Sequence, residues 1–273
     1  MLKIFKNCFN FYVKSSLHVA LSVSSLGLLS FNLSTRATDK NVLIFIFFCT
    51  LFAYNFIKYY PLVRSKSRRK ISTAIIVLSV LSAVVTFGLF FTLTIITRGI
   101  VILGGLLVFL YTIPFFGENS NWRNKKGWKI NLVALSWILL TVGVPLTSLT
   151  DFPQTLILKW SFIQFVYVWV ATLTFEIRDF SIDTLSLRTI PQQLGIRKTK
   201  IIGFFLLIIG LIFAIFIFPF NYWTLLPIII SYSLLGVSLY FCSTQMSIYF
   251  TNFWIEGIPI IWWLSSLLIS YFY

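Results

Sequence analysis

The chain has 273 residues, of which 58% are hydrophobic and 11% charged. A soluble protein carries about 25% charged residues, so a water-facing globule is excluded and a membrane-embedded chain is implied. His18 is the only histidine, and the three cysteines, Cys8, Cys49 and Cys242, are far apart. Bis-His ligation, a zinc site built on several histidines and a disulfide framework are therefore excluded, which points any chemistry mainly to carboxylates, Lys/Arg, hydroxyls and aromatic rings.

Apolar runs bounded by polar, Pro or Gly breaks predict helices over 17–33, 41–60, 71–88, 99–116, 130–149, 155–175, 201–219, 223–241 and 253–271. The expected fold class is all-α, a polytopic membrane bundle of about nine transmembrane helices forming a single domain over 1–273. Within 71–116 only Arg98 and Gly99 mark a clear break, and a tilted or re-entrant pair fits that stretch as well. Lys3, Lys6 and Lys14 ahead of the first run resemble the start of a signal peptide. The apolar run begins late and a second span follows within a few residues, so a retained first helix is expected.

With the N-terminus inside, the loops 1–16, 58–70, 117–129, 176–200 and 242–252 contain 18 of the 22 Lys/Arg residues. Arg36, Lys40, Arg98 and Lys159 fall on the other side. This asymmetry predicts a multi-pass plasma (inner) membrane protein with a cytoplasmic N-terminus and an external C-terminus. It also accounts for the net charge of +15 without a nucleic-acid partner. Arg64, Lys66, Arg68, Arg69 and Lys70 form the densest cluster, an orientation signal that would also attract anionic headgroups or a phosphorylated substrate.

Of the seven acidic residues, Asp39, Asp151 and Glu118 fall in loops. Glu176, Asp179 and Asp183 are spaced i, i+3, i+7 where the sixth span reaches the cytoplasmic face, forming one stripe if the helix continues. Like charges at that spacing repel, so something positive must face them. Two readings fit: an ion-pair network with Arg178, Arg188 or Arg197, or a hard divalent cation such as Mg²⁺, which takes carboxylate and phosphate oxygens. Glu256 lies inside the ninth apolar run, where an ionisable group faces a polar cavity or a partner.

Glu176-Ile-Arg-Asp179-Phe-Ser-Ile-Asp183, followed by Arg188-Thr189-Ile190-Pro191 and Leu194-Gly195, resembles the second acidic motif of the UbiA-type intramembrane prenyltransferases, a DxxDxxxD stretch before a Thr-Leu-Pro-like segment ending in Leu-Gly. Tyr111-Thr-Ile-Pro114 and the basic stretch containing Arg123, Lys125, Lys126 and Lys129 are similar to the family's Tyr-Ser-x-Pro segment and its trailing cations. The resemblance implies nine spans, a cavity lined in part by Tyr111 and Glu256, Mg²⁺ held by Glu176, Asp179 and Asp183, and a diphosphate contacted by Asn55, Lys58, Arg123, Lys125, Lys126, Arg178 and Arg188. The implied partners are an isoprenyl diphosphate, a hydrophobic acceptor and the lipid bilayer.

The family's first motif, NDxxDxxxD, falls at Asn55, where its acidic positions are Phe56, Tyr59 and Val63. Lys58 can compensate by contacting phosphate directly. The implied reaction moves an isoprenyl group to an aromatic or lipid-soluble acceptor, and needs leaving-group stabilisation and a dry, aromatic-lined cavity for an allylic cation. The alternative is a catalytically silent protein of the same fold that binds isoprenyl diphosphate or a protein partner. Tyr54, Tyr59 and Tyr60 read as interfacial belt residues.

Overall fold

Within hydrocarbon each backbone amide needs a partner in its own segment, and the described residues meet that need with helices alone. The computed structural model describes residues 2–34, 38–64, 71–113, 127–149, 154–184, 187–219 and 221–272. The helices are α1 (Leu2–Lys14), α2 (Leu17–Phe31), α3 (Lys40–Arg64), α4 (Thr73–Phe90), α5 (Ile95–Thr112), α6 (Trp128–Ser148), α7 (Gln154–Arg178), α8 (Ile190–Leu194), α9 (Ile196–Ile217), α10 (Tyr222–Phe241) and α11 (Phe250–Phe272). Eight of these, α3 to α7 and α9 to α11, are long and apolar enough to cross a membrane. With the shorter apolar helix α2, the described residues supply the nine apolar helices expected from the sequence.

At 15 residues, α2 rises about 22 Å, less than the roughly 30 Å of hydrocarbon. It is buried on most sides and packs between α3 and α11. Two boundaries differ from the sequence reading. The break within 71–116 falls at Phe91–Thr94, not at Arg98–Gly99, because the Thr94 hydroxyl caps α5 by accepting the Thr97 N–H at 3.3 Å. Arg98 stays in the first turn of α5 and donates to the Phe91 carbonyl at 2.5 Å. The Lys-containing N-terminal stretch, expected as a loop, is the helix α1, turned away from α2 at Ser16, whose φ of 64° is left-handed.

The main core lies between α7, α9, α10 and α11. Trp262 meets Tyr167, Trp160 and Tyr232 at ring-centre distances of 5.2, 5.9 and 6.1 Å, and the Tyr232 hydroxyl donates to the Ile163 carbonyl at 2.6 Å. Close helix approach in lipid relies on small residues. At Gly210 a Cβ would lie 2.7 Å from the Tyr232 ring, and at Gly203 it would lie 2.5 Å from the end of Leu239. A second tie joins α2, α6 and α7: Ser30 donates to the Thr141 carbonyl at 2.6 Å, and Thr141 Oγ1 donates to Gln164 Oε1 at 2.7 Å. Thr141 sits in a π-helical turn, Leu139–Gly143, and a second such turn, Phe250–Ile255, opens α11. Such turns are frequent at functional sites.

Candidate functional site

The C-terminal ends of α3 and α7 and the N-terminal ends of α6 and α11 converge at one end of the bundle, and there the charged side chains gather. Arg178, the last residue of α7, is held in a fork: Nε donates to Asp179 Oδ1 at 2.7 Å and Nη2 to Asp179 Oδ2 at 2.9 Å. Its Nη1 donates to Asn252 Oδ1 at 2.8 Å and also to Thr251, so the guanidinium ties α7 to the π-helical turn of α11. Lys129, in the first turn of α6, pairs with Asp183 at 3.0 Å, with both side chains 12% exposed. Glu256 on α11 lies within electrostatic reach of Lys58 and Arg178, and Ser22 of α2 donates to the Glu256 carbonyl.

The acidic motif does not form a continuous stripe. The α-helix ends at Arg178, and Asp179–Ser181 winds into a 3₁₀ turn, so the i, i+7 alignment of Glu176 with Asp183 is lost. Glu176 is 1% exposed and its Oε2 accepts the Ile190 N–H at 3.2 Å. A carboxylate there satisfies one of the unpaired amides that open α8 and complements its dipole. Gln192 fixes the same loop, accepting from the Thr189 N–H at 3.0 Å and donating to the Asp183 carbonyl at 3.0 Å. Among the described residues no three His, Cys, Asp or Glu side chains gather to hold a metal ion. The expected set Glu176, Asp179 and Asp183 is split between a helix start, Arg178 and Lys129.

On the facing wall, Asn55 is 2% exposed and neither its Oδ1 nor its Nδ2 has a hydrogen-bond partner. Leaving such atoms unmatched costs about 1–3 kcal/mol per group. Lys58, one turn further on, donates to the carbonyls of Lys14 at 3.0 Å and Val13 at 3.4 Å. Arg188 is exposed at a left-handed φ of 45°. Arg123, Lys125 and Lys126 lie outside the described residues.

Beside this polar centre is an apolar cavity of about 410 Å³ between α2, α3, α4, α5 and α6. Tyr54, Phe56 and Ile57 of α3, Gly105 and Tyr111 of α5, and Trp137 of α6 line it. Trp137 donates to the Tyr54 hydroxyl at 2.9 Å. Glu256 is not among its lining residues. The belt reading of Tyr54 therefore does not hold: its ring faces the interior. Lys129 was absent from the expected site residues because its partner, Asp183, is 54 positions away, a pairing that no local pattern displays.

No family model matches the chain, and no curated protein matches it. Solved structures do. One, described as a UbiA homologue from Archaeoglobus fulgidus, aligns at a TM-score of 0.62 and 11% identity over 93% of this chain and 96% of that one. The same homologue bound to GPP and Mg²⁺ aligns at 0.61 and 11% identity over 95% and 98%. A digeranylgeranylglyceryl phosphate synthase aligns at 0.59 and 14% identity over 96% and 98%.

Proposed function

We propose, for a chain that has the UbiA-type fold over 93% of its length, that it is a membrane-embedded prenyltransferase. It would move an isoprenyl group from its diphosphate to a hydrophobic acceptor, aromatic or lipid-soluble, with its N-terminus and polar centre on the cytoplasmic side of the plasma membrane. One observation carries the reading. A single turn of α3 gives Asn55 and Lys58 to the polar centre and Tyr54, Phe56 and Ile57 to the apolar cavity, so a polar head and an apolar tail of one ligand find adjoining sites.

In this reading the diphosphate competes for cations now engaged within the protein, namely Lys58, Lys129 and Arg178, and Asn55 supplies a buried donor. A diphosphate carries more charge than any one carboxylate it displaces, which strengthens such charge-assisted contacts. The tail lies in the cavity, where the rings of Tyr54, Tyr111 and Trp137 offer cation–π attraction to a developing allylic cation, about 0.5–2 kcal/mol each, and the apolar lining excludes water from it.

The Archaeoglobus homologue has been solved bound to GPP and Mg²⁺ and to DMAPP and Mg²⁺. The residues here do not fit a two-walled carboxylate cage. The wall on α3 presents Asn55 and Lys58, Asp179 and Asp183 are paired with cations, and Glu176 caps a helix. No step is therefore assigned to a metal.

The same pairing supports a second reading, in which the protein binds a prenyl diphosphate without transferring it. The test is binding of geranyl diphosphate to the purified protein in lipid nanodiscs, with Mg²⁺ or with EDTA, alongside release of diphosphate in the presence of hydrophobic acceptors. Binding that persists in EDTA together with release supports the transferase, and binding without release across chain lengths and acceptors supports the silent binder. No binding under either condition refutes both.

A further inference from the structure

α1 plays no part in substrate binding as proposed, yet it is built with two distinct sides. At 3.6 residues per turn, Ile4, Cys8 and Phe11 fall on one edge with Phe5 beside them, while Lys6 lies on the opposite side and Lys14 and Asn7 continue the polar arc round to the flank of Phe11. Only the second half of the helix is docked. Phe9 meets Phe253 and Tyr249 of the α11 approach at ring-centre distances of 5.0 and 5.6 Å, and the Tyr249 hydroxyl donates to Asn10. The Tyr12 hydroxyl lies 2.8 Å from His18 Nδ1, and His18 Nε2 lies 2.8 Å from the Phe253 carbonyl. A carbonyl can only accept, so Nε2 carries the proton, and in the neutral ring Nδ1 is then the acceptor for the Tyr12 hydroxyl. The last carbonyls of α1 are taken by Lys58 and by the Tyr59 hydroxyl, which donates to Lys14 at 2.8 Å.

The first half leaves its apolar edge uncovered. Ile4 is 70% and Phe5 76% exposed, and Cys8 and Phe11 are exposed beside them. A row of bare apolar side chains on a helix that contains three lysines and no acid matches a bilayer interface with anionic headgroups: the apolar edge enters the acyl boundary and the lysines meet the phosphates. Charge favours that occupant over a basic partner or a second copy of this chain, because the first acidic residue in the sequence is Asp39.

We infer that α1 is an interfacial strap: its free half lies in the anionic lipid surface of the leaflet next to the polar centre, and its docked half clasps α3 and α11 on either side of Glu256. Anchoring in lipid and the hold on Lys58 are then two ends of one helix.

Spin labels test the inference in the full-length protein. Cys49→Ala leaves Cys8 as the exposed thiol, since Cys242 is buried. Labels at native Cys8 and, with Cys8→Ser added, at Ile4→Cys, Lys6→Cys and Phe11→Cys are read in nanodiscs by collision with oxygen, which concentrates in lipid, and with a water-soluble nickel chelate. In discs containing phosphatidylglycerol, positions 4, 8 and 11 should favour oxygen several-fold over position 6, and the contrast should shrink in phosphatidylcholine discs. Equal nickel access at all four positions would overturn the inference. A contrast unchanged in phosphatidylcholine would overturn the anionic preference, and spin–spin broadening that rises when two labelled copies share a disc would assign the surface to self-association instead. All labelled positions are solvent-exposed, so folding does not limit the reading.

Discussion

Asp183→Asn separates an ion-pair account of the polar centre from a metal account by the sign of its effect. In the structure Asp183 meets Lys129 at 3.0 Å with both side chains 12% exposed. Asp183 is one of four carboxyl groups in this region, with Glu176, Asp179 and Glu256, and a diphosphate arriving without a metal meets its charge as a repulsive one. Asparagine keeps the shape of Asp183, releases Lys129 and removes one repulsive charge. A unit charge several ångströms away at an effective dielectric constant near 20 contributes about 2 kcal/mol, so Mg²⁺-free affinity for geranyl diphosphate should rise by about ten- to thirtyfold. Stability should move the other way. Breaking a buried pair by removing one partner costs about 3–5 kcal/mol, and because Lys129 sits at the membrane edge, where its ammonium can reach water, the loss should fall near the lower end. The assays are calorimetric binding in EDTA and a thermal melt in detergent, each repeated with Lys129→Met and with the double variant. If Asp183→Asn weakened binding in Mg²⁺ and left the melting temperature unchanged, Asp183 would be a metal ligand and the ion-pair reasoning would be wrong.

Gly210→Ala should lower the melting temperature more than Gly203→Ala, although both added methyls clash, because the rigid Tyr232 ring cannot yield as the tip of Leu239 can; the expected loss at Gly210 is about 1–3 kcal/mol, and equal losses would refute that difference. Tyr54→Phe should cost about 0.5–1.5 kcal/mol by stranding the Trp137 indole N–H, read from the same melts, and an unchanged melting temperature would mean the bond is not formed in the membrane. Gly105→Phe adds a ring where nothing lies within 4 Å of the glycine, and should fill part of the apolar cavity and discriminate against longer isoprenyl chains; uniform binding across chain lengths would place the tail elsewhere. A cysteine at the exposed position Ser181 should be labelled only by reagents reaching the cytoplasmic side, and labelling from outside alone would reverse the proposed orientation.

The spans were legible because all the apolar runs but that of the shorter α2 form helices long enough to cross, and they end at residues that lipid does not accept. The limits of that legibility are physical. α1 reads as a loop because its lysines interrupt any apolar run, and its amphipathic character emerges only when residues are placed around a helix. Arg98 looks like a break by charge, but a long side chain can return to its own backbone, here to the Phe91 carbonyl, while the modest Thr94 does the capping. Tyr54 and Tyr59 are near neighbours of the same type, yet one faces the cavity and the other fastens Lys14. Composition near a membrane interface cannot tell a belt from a wall.

The acidic motif presents the deeper difficulty, since its spacing is a statement about a helix that stops partway through it. Glu176 and Asp179 are three apart and would share a face, but the α-helix ends between them, at Arg178, whose guanidinium grips the adjacent Asp179 carboxylate. A metal cage and an ion-pair network use identical carboxylates, so what distinguishes them is the opposite wall. There the chain has Phe56, Tyr59 and Val63 at the positions where acids would complete a cage. With no acid on that wall and Lys58 in its place, Lys129 and Arg178 relieve the repulsion on Asp183 and Asp179 directly. In the proposed reading these pairs hold the loop until a diphosphate competes for them. The unmatched amide of Asn55 is what such a centre leaves over: a group that gains nothing from the protein's own pairing and would gain from a phosphate oxygen placed beside it.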